Sequence, residues 1–398
     1  MGPSTHDSTA AAALARLVDR IRGAAADGTA LRLRGSGSKD FYGCPLQGVP
    51  LDTGEYRGVV AYEPTELVIT ARCGTPLAEL EAALAERGQW LPFEPPAFGG
   101  AATVGGMVAA GLSGPGRMSA GAVRDFVLGA ALVDGQGKVL NFGGQVMKNV
   151  AGYDVSRLLC GSLGMLGLIA EVSLKVLPVP AASLTLTLPI DRGDALRQLN
   201  GWAGRPLPLS ASAWVGGTLA LRLAGARAAV EAAAEIFVRE HGASVLDGEV
   251  HRFWAAIREQ TLPFFEGPGS AVGSDPAAGA SAAGAPVAGS PVASAPAASA
   301  RALWRLSVPS TASPLALPGE ELIEWGGALR WWRTDAEPAA VRDAAARVGG
   351  HATLFRGGDR SQGVFAPLSQ TLAVIHRRLK AEFDPKGIFN PGRMYPDL

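Results

Sequence analysis

The sequence predicts an α+β protein in two parts. Three observations carry that prediction: short strand patterns alternate with helical ones through both halves, three glycine-rich runs punctuate the first half, and residues 266–300 are almost wholly Gly, Ala, Ser and Pro. Such a stretch buries too little side chain to offset the entropy lost on ordering, so a disordered insertion is expected there. The chain of 398 residues, 47% of them hydrophobic, is long enough for two or three domains with sizeable cores.

In chain order, residues 1–27 read as an amphipathic helix. Leu14, Leu17, Val18 and Ile21 recur at helical spacing, while Arg16, Asp19 and Arg20 break up any signal-peptide core. "GVVAYEP" and "LVITARCG" read as strands. "TPLAELEAALAERG" reads as a helix with Thr75 as N-cap, Pro76 at its first position and Gly88 as terminator. After the glycine run 99–121, "DFVLGAALVDGQGKVLNF" reads as a hairpin turning at Asp134 and Gly135, and "GLIAEVSLKVLP" as a strand stopped by Pro178. The second half reads as strand, helix, strand twice. The first set is "SASAWVGGTLALRLAG", an alanine-rich helix near 226–241 and "GASVLD"; the second is "IEWGGALRWWRT", "EPAAVRDAAARVGG" and "HATLFRGG". Paired in one sheet, these units make an α+β domain with helices on one face, and Trp331 and Trp332 fit sheet or interface packing. A last helix, "LSQTLAVIHRRLKAEFD", leads into the tail "PKGIFNPGRMYPDL".

Composition excludes several functions. Lys+Arg and Asp+Glu both number 36, so there is no electrostatic footprint for nucleic acid or an anionic membrane. No run reaches the roughly 20 apolar residues of a spanning helix. Cys44, Cys73 and Cys160 form no CxxC, which argues against an iron–sulfur cluster, a zinc site or a disulfide framework and fits a reducing, cytoplasmic setting.

The glycine runs carry the functional signal. Successive backbone N–H groups converge on an anion only where some residues take conformations that side chains resist. Arg34, Gly35, Ser36, Gly37 and Ser38 have that character, although an ordinary loop explains them equally. Gly35 and Gly37 lack the third glycine of GxGxxG, and no GxxxxGK[ST] occurs, so neither a dinucleotide Rossmann site nor a P-loop is supported. In the second run, residues 95–129, Val104, Met107, Val108 and Leu112 would have no reason to be exposed on a flexible loop; backbone packed against something large and flat fits better. In the third, Gly161, Gly164 and Gly167 fall at intervals of three before a strand.

The order "RGSGS", "GTPLAEL", "TVGGMVAAGLSGPGR", "RDFVLGAALVDGQGKVL", "KNVAGYDVSRLLCGSLGMLGLIAEV" resembles the PCMH-type FAD-binding domain of the vanillyl-alcohol oxidase superfamily, over residues 30–180. "FDPKGIFNPGR" resembles the C-terminal signature of its 2-hydroxyacid-oxidising branch, and the whole is most similar to the FAD-binding E subunits of bacterial glycolate oxidases. The resemblance implies FAD extended between two α+β subdomains, about 28–105 and 106–180. It further implies Gly35 to Ser38 around the pyrophosphate, and Thr103, Gly105, Gly106 and Gly111 letting the chain approach phosphates and ring. Ile169 would lie by the adenine, and Gly74, Gly116, Gly152, Tyr153, Gly164 and Arg393 complete the expected cofactor set. Arg34 and Lys148 either supply charge near the pyrophosphate or are solvated surface cations. Members that bind FAD covalently in the first loop place a histidine there; this chain has Ser36, Ser38 and Lys39, so noncovalent FAD is expected.

The implied organisation is an N-terminal helix (1–27), the FAD-binding domain (28–180), a C-terminal α+β domain (181–265 and 301–370) and a helix and tail (371–398) packing on the FAD domain. The implied function is that of an FAD-carrying subunit of a glycolate oxidase complex. Its expected partners are a second flavoprotein subunit, an iron–sulfur subunit and a small 2-hydroxyacid, in the cytoplasm or peripheral to the inner membrane through those partners. A scaffold subunit that keeps the flavin fold, and a free-standing FAD-dependent oxidase of another hydroxyacid, are the alternatives. The catalytic residues are not legible: His6, His241, His251, His351 and His376 show no metal-ligand spacing, and the "HGD"-like segment of the catalytic partner subunit is missing. Tyr153, Asp154 and Arg393 are open to two readings, polar groups near the flavin or a helix cap and a tail fastening.

Overall fold

The structure is a computed structural model that describes residues 5–144, 154–246, 248, 250–266 and 301–398; the expected disordered insertion, 266–300, falls outside them except for Glu266, which ends the helical turn Pro263–Glu266. Helix α1 (Thr5–Asp27) buries Leu17, Val18 and Ile21 in one core with Leu31 and Leu51 of the parallel pair β1 (Leu31–Arg34) and β2 (Val49–Asp52), a core that Val133, Leu168 and Phe389 join from later in the chain. The chain then enters a five-stranded antiparallel sheet of β3 (Val59–Glu63), β4 (Val68–Arg72), β5 (Val127–Val133), β6 (Val139–Gly143) and β7 (Leu168–Lys175), in the order β3-β4-β7-β5-β6. Helices α2 (Leu77–Ala85) and α3 (Val104–Ala110) cover it, burying Leu77, Leu80, Leu84, Met107 and Val108. Two α+β units are therefore present, but the chain divides between them before β3, not near residue 105. The reason is β4: Val68, Ile69, Thr70 and Ala71 are all buried, so it takes partners on both sides, one of them β7 about a hundred residues on.

Two local readings change. Thr75 does not cap α2: its hydroxyl bonds both the amide and the carbonyl of Gly58, tying β4's exit to the β3 entry, and Pro76 occupies the cap position. The hairpin does turn where expected, with Asp134 Oδ1 accepting from the amides of Gln136 and Lys138.

Beyond β7 the elements are β8 (Ala182–Pro189), α4 (Arg192–Ala203), β9 (Leu209–Val215), β10 (Thr218–Gly225), α5 (Arg227–His241), β11 (Ser244–Val245) and α6 (Val250–Glu259). After the insertion come β12 (Ala302–Ser307), β13 (Glu320–Glu324), β14 (Leu329–Thr334), α7 (Pro338–Arg347) and β15 (His351–Arg356). The strands form one antiparallel sheet of eight, ordered β11-β8-β10-β9-β13-β14-β12-β15. What reads as one strand in "SASAWVGGTLALRLAG" is the hairpin β9–β10. Its Gly216 and Gly217 have φ +57° and +83°, as a two-residue primed turn requires.

One face of this sheet lies under α4, α5 and α7, burying Trp202, Phe237, Trp304 and Trp332. The other face, with Leu303, Leu322, Trp331 and Phe355, packs on Tyr42, Ala110 and Leu112 of the first half. The final helix α8 (Gln370–Phe383) returns to the five-stranded sheet, where Lys380 Nζ donates at 2.7 Å to Met165 O, Phe389 O and Asp384 Oδ2. No described helix is long and apolar enough to cross a membrane.

Candidate functional site

β1 runs directly into the loop 35–40, which faces α3, the turns ahead of β7 and Asn390 from the tail. Between them runs a crevice in two adjoining sections that share Leu33, Arg34, Gly35, Gly106, Ala109, Leu163 and Asn390 as walls. The structure brings to it Arg34, Gly35, Ser36, Gly37, Ser38, Thr103, Gly105, Gly106, Gly164, Ile169 and Arg393. Gly74, Gly111 and Gly116 stand behind the walls, and packing explains each. A Cβ on Gly111 would lie 2.8 Å from the amide of Gly161, Gly74 is pressed against the carbonyls of Thr53 and Tyr56, and Gly116 against Pro92 and Glu94. Lys148, Gly152 and Tyr153 lie outside the described residues.

The crevice fits an extended dianionic group by its donors. Among the described residues, the amides of Gly35, Ser36 and Gly37, three in a row on the crevice wall, have no hydrogen-bond acceptor. Such a run of free N–H groups binds anions. Gly37 makes it possible: its φ is +82°, and a Cβ there would lie 2.7 Å from the guanidinium of Arg34, which folds back toward Asp40. The start of α3 does something else. The amides of Val104, Gly105 and Gly106 go to Thr75 O, Cys73 O and Thr103 Oγ1, so this turn binds β4 and offers the crevice bare surface, not donors.

Three polar residues set the charge and shape of the crevice. Lys39 lines it too, and burial pushes its ammonium down to about 8, against the opposing pull of Glu259, whose carboxylate accepts the amides of Ala97 and Phe98. Arg393 lies at the rim with its guanidinium already spent, donating to the carbonyls of Asp40, Tyr42 and Cys44, so it fixes the loop that leaves the crevice. Asn390 is the residue that sequence reading missed. Its Oδ1 accepts from Leu33 N at 2.8 Å and its Nδ2 donates to Leu163 O at 2.6 Å, joining opposite walls. Asparagine is among the side chains that tolerate its φ of 42°, and that was the available signal in "FNPGR".

From the crevice the chain continues through Phe41 and Tyr42 onto the inward face of the eight-stranded sheet. Arg356 stacks 4.4 Å from the Phe41 centroid and 4.9 Å from that of Phe98, and Trp331 Nε1 donates at 2.7 Å to Glu324 Oε1. Burial pushes the Glu324 carboxyl up to about 8, with the Trp331 hydrogen bond and the Arg305 charge pulling the other way. Among the described residues, no histidine lines the crevice. His241 stacks on Trp202 and Phe237, His376 bonds Leu372 O, and His351 is held below its usual value by burial and by Arg305. Asp154 caps the helical turn 155–158 and pairs with Arg157 at 3.2 Å. Among the described residues, no three His, Cys, Asp or Glu side chains converge as a metal site.

The comparisons with known proteins agree with this geometry. The family described as an FAD binding domain matches residues 10–143. The chain is 47% identical to glycolate oxidase subunit GlcE of Escherichia coli (strain K12), over 96% of this chain and 97% of that one. It is 30% identical to glycolate oxidase subunit GlcD of Bacillus subtilis (strain 168), over 42% of this chain and 35% of that one. It is 31% identical to a D-lactate dehydrogenase of Anaerostipes hadrus, over 36% and 30% respectively. A solved alkyldihydroxyacetonephosphate synthase shares the fold, with a TM-score of 0.62 at 15% identity over 94% of this chain and 75% of that one. With nearly half of its residues shared along almost the full length of both chains, the protein belongs to the family of FAD-binding glycolate oxidase subunits typified by GlcE.

Proposed function

We propose that this chain carries noncovalent FAD within a glycolate oxidase complex, beside a GlcD-like flavoprotein subunit and an iron–sulfur subunit, and takes part in oxidising glycolate to glyoxylate. The observation that carries the reading is the crevice with its three free amides. Bound FAD supplies the two-electron acceptor that oxidation of an alcohol carbon needs. The chain's own residues do the rest. The amides of Gly35, Ser36 and Gly37 hold the diphosphate, and Arg34 and Lys39 add positive charge beside it. Gly106 leaves room, Gly164 lets Asn390 and Leu33 close in behind the wall, and Ile169 offers an apolar rest for the adenine. Asn390 keeps the walls at their spacing, and the aromatic face around Phe41, Phe98 and Phe355 keeps water from the inner end. A cytoplasmic location, peripheral to the inner membrane through the partner subunits, goes with this reading, as does the division into an FAD-binding domain to residue 180 and a C-terminal domain beyond it.

A visible spectrum of the purified chain tests it: oxidised-flavin bands should be present and should leave with the supernatant after denaturation and filtration. A folded, colourless chain that takes up no added FAD would end the proposal. Glycolate should then bleach the flavin of the assembled complex under anaerobic conditions.

A further inference from the structure

Residues 97–101, Ala-Phe-Gly-Gly-Ala, form a short strap that is fixed at both ends and held in the middle by one side chain. Ahead of it, Glu94 is bonded to Arg222 of β10 and Pro95 and Pro96 are buried. Behind it, Ala102 O accepts the Leu77 amide at 2.7 Å. Between these anchors, among the described residues, the strap's main chain bonds to another element only through a carboxylate. Glu259 Oε2 accepts the amide of Ala97 at 3.1 Å and that of Phe98 at 2.7 Å. Glu259 ends α6, whose Trp254 and Ile257 share a core with Ala211 and Ala213 of β9 and Ala220 of β10, so the post that holds the strap belongs to the eight-stranded sheet.

The strap is strained where it is held. Phe98 has a φ of +52°, in the left-handed region that a bulky side chain resists, and such a residue persists only while its surroundings impose it. Its ring meets Phe41 and Phe355 edge-on, with centroids 5.4 and 6.4 Å away, and has Lys39 Nζ at 5.4 Å and the Arg356 guanidinium at 4.9 Å. Because Lys39 lines the crevice, Phe98 stands at its inner end. The next two residues, Gly99 and Gly100, have φ +101° and +80°, and a Cβ on either would meet nothing within 4 Å. No close approach requires glycine there, which leaves backbone freedom as its use. Fixed ends, a strained aromatic, an open double glycine beside it and a single tether are the parts of a segment with two positions.

We propose that residues 97–101 are a gate over the inner end of the crevice, with Phe98 as its plug and Glu259 as its latch, and that FAD enters and leaves when the latch lets go. That the cargo is FAD rests on the function proposed above. A gate that is mostly closed slows entry and exit by the same factor, so breaking its latch changes both rates far more than affinity.

Stopped-flow fluorescence of the full chain, stripped of flavin and mixed with FAD or reloaded and chased, reads the two rates, and thermal unfolding shows that each variant is folded. Glu259→Ala should raise association and release at least tenfold each while Kd stays within threefold. Phe98→Ala should do the same by removing the plug. Glu259→Gln, which keeps an acceptor and gives up the charge, should fall between wild type and Glu259→Ala, and it decides the matter with Phe98→Ala if Glu259→Ala does not fold. Faster release with unchanged association is the mark of a merely weakened site and overturns the gate, as do wild-type rates in the folded variants. A wild-type chain that takes up no FAD overturns the function above and this gate together, so the two failures are told apart by whether wild type binds.

Discussion

Gly105 and Gly106 are neighbours on α3 with opposite surroundings. A Cβ on Gly105 would meet Cys73 Cβ at 2.7 Å and its carbonyl oxygen at 3.1 Å, so Gly105→Ala must prise α3 from the end of β4. Overpacking of that kind costs about 1–3 kcal/mol, and urea unfolding should show it. A Cβ on Gly106 meets only Thr103 Oγ1, at 3.2 Å, and otherwise stands in the crevice. Gly106→Ala should therefore keep near-normal stability and lose affinity for FAD by about tenfold, roughly 1.4 kcal/mol, in a fluorescence titration of the stripped chain. Asn390→Ala removes both cross-wall hydrogen bonds and leaves a less suitable residue at positive φ; a loss of about 2 kcal/mol is expected, together with weaker FAD binding. At this scale the sequence was half legible. Glycine marks where backbone must come close, but whether to a ligand, as at Gly106, or to the protein itself, as at Gly105 and Gly111, depends on contacts that local pattern does not carry.

Among the elements, β13 has the most to say about pH. It ends in Glu324, 3% exposed and bonded to Trp331 on β14. The folded protein keeps this carboxyl protonated up to about pH 8, whereas the unfolded chain releases the proton at about 4.3. Its contribution to stability is therefore whole below the unfolded value and falls by about 1.4 kcal/mol per pH unit as pH rises toward the folded one. Glu324→Gln keeps an acceptor for the indole and removes the proton, so its stability relative to wild type should grow between pH 5.5 and 8.5 in paired denaturant titrations. A variant that tracks wild type across that range would refute the buried-proton account. The hairpins explain why such strands were only partly read: Gly216–Gly217 and Gly326–Gly327 each sit inside one continuous apolar stretch, and hydrophobic pattern alone does not say where a stretch folds back.

For the whole molecule, the decisive bond joins the halves. Arg222 of β10 donates to both carboxylate oxygens of Glu94, at 2.8 and 2.9 Å, where both side chains are nearly buried; Glu94 also accepts the Gly116 amide. Glu94→Ala would strand a buried cation, at a cost of about 3–5 kcal/mol. Because the pair crosses between the two sheets, unfolding followed by circular dichroism should separate into two phases. A single phase with an unchanged midpoint would show that the aromatic face couples the halves unaided. No spacing rule could have matched two residues so far apart in sequence, and the same distance hid the pairing of β4 with β7. The family resemblance did reach this scale, because it reports a fold inherited whole.

The buried Lys380 has a consequence for biosynthesis. By holding Phe389 O and Asp384 while Asp384 accepts the amides of Ile388 and Phe389, it seats Asn390 between walls that are hundreds of residues older on the ribosome. A nascent chain that has not yet released those residues has an unclosed binding groove. Stable cofactor capture is therefore expected only after release of the chain, and a truncation ahead of Lys380 should yield apoprotein even where every glycine of the first half is intact, as a flavin absorbance spectrum of the purified variant would show.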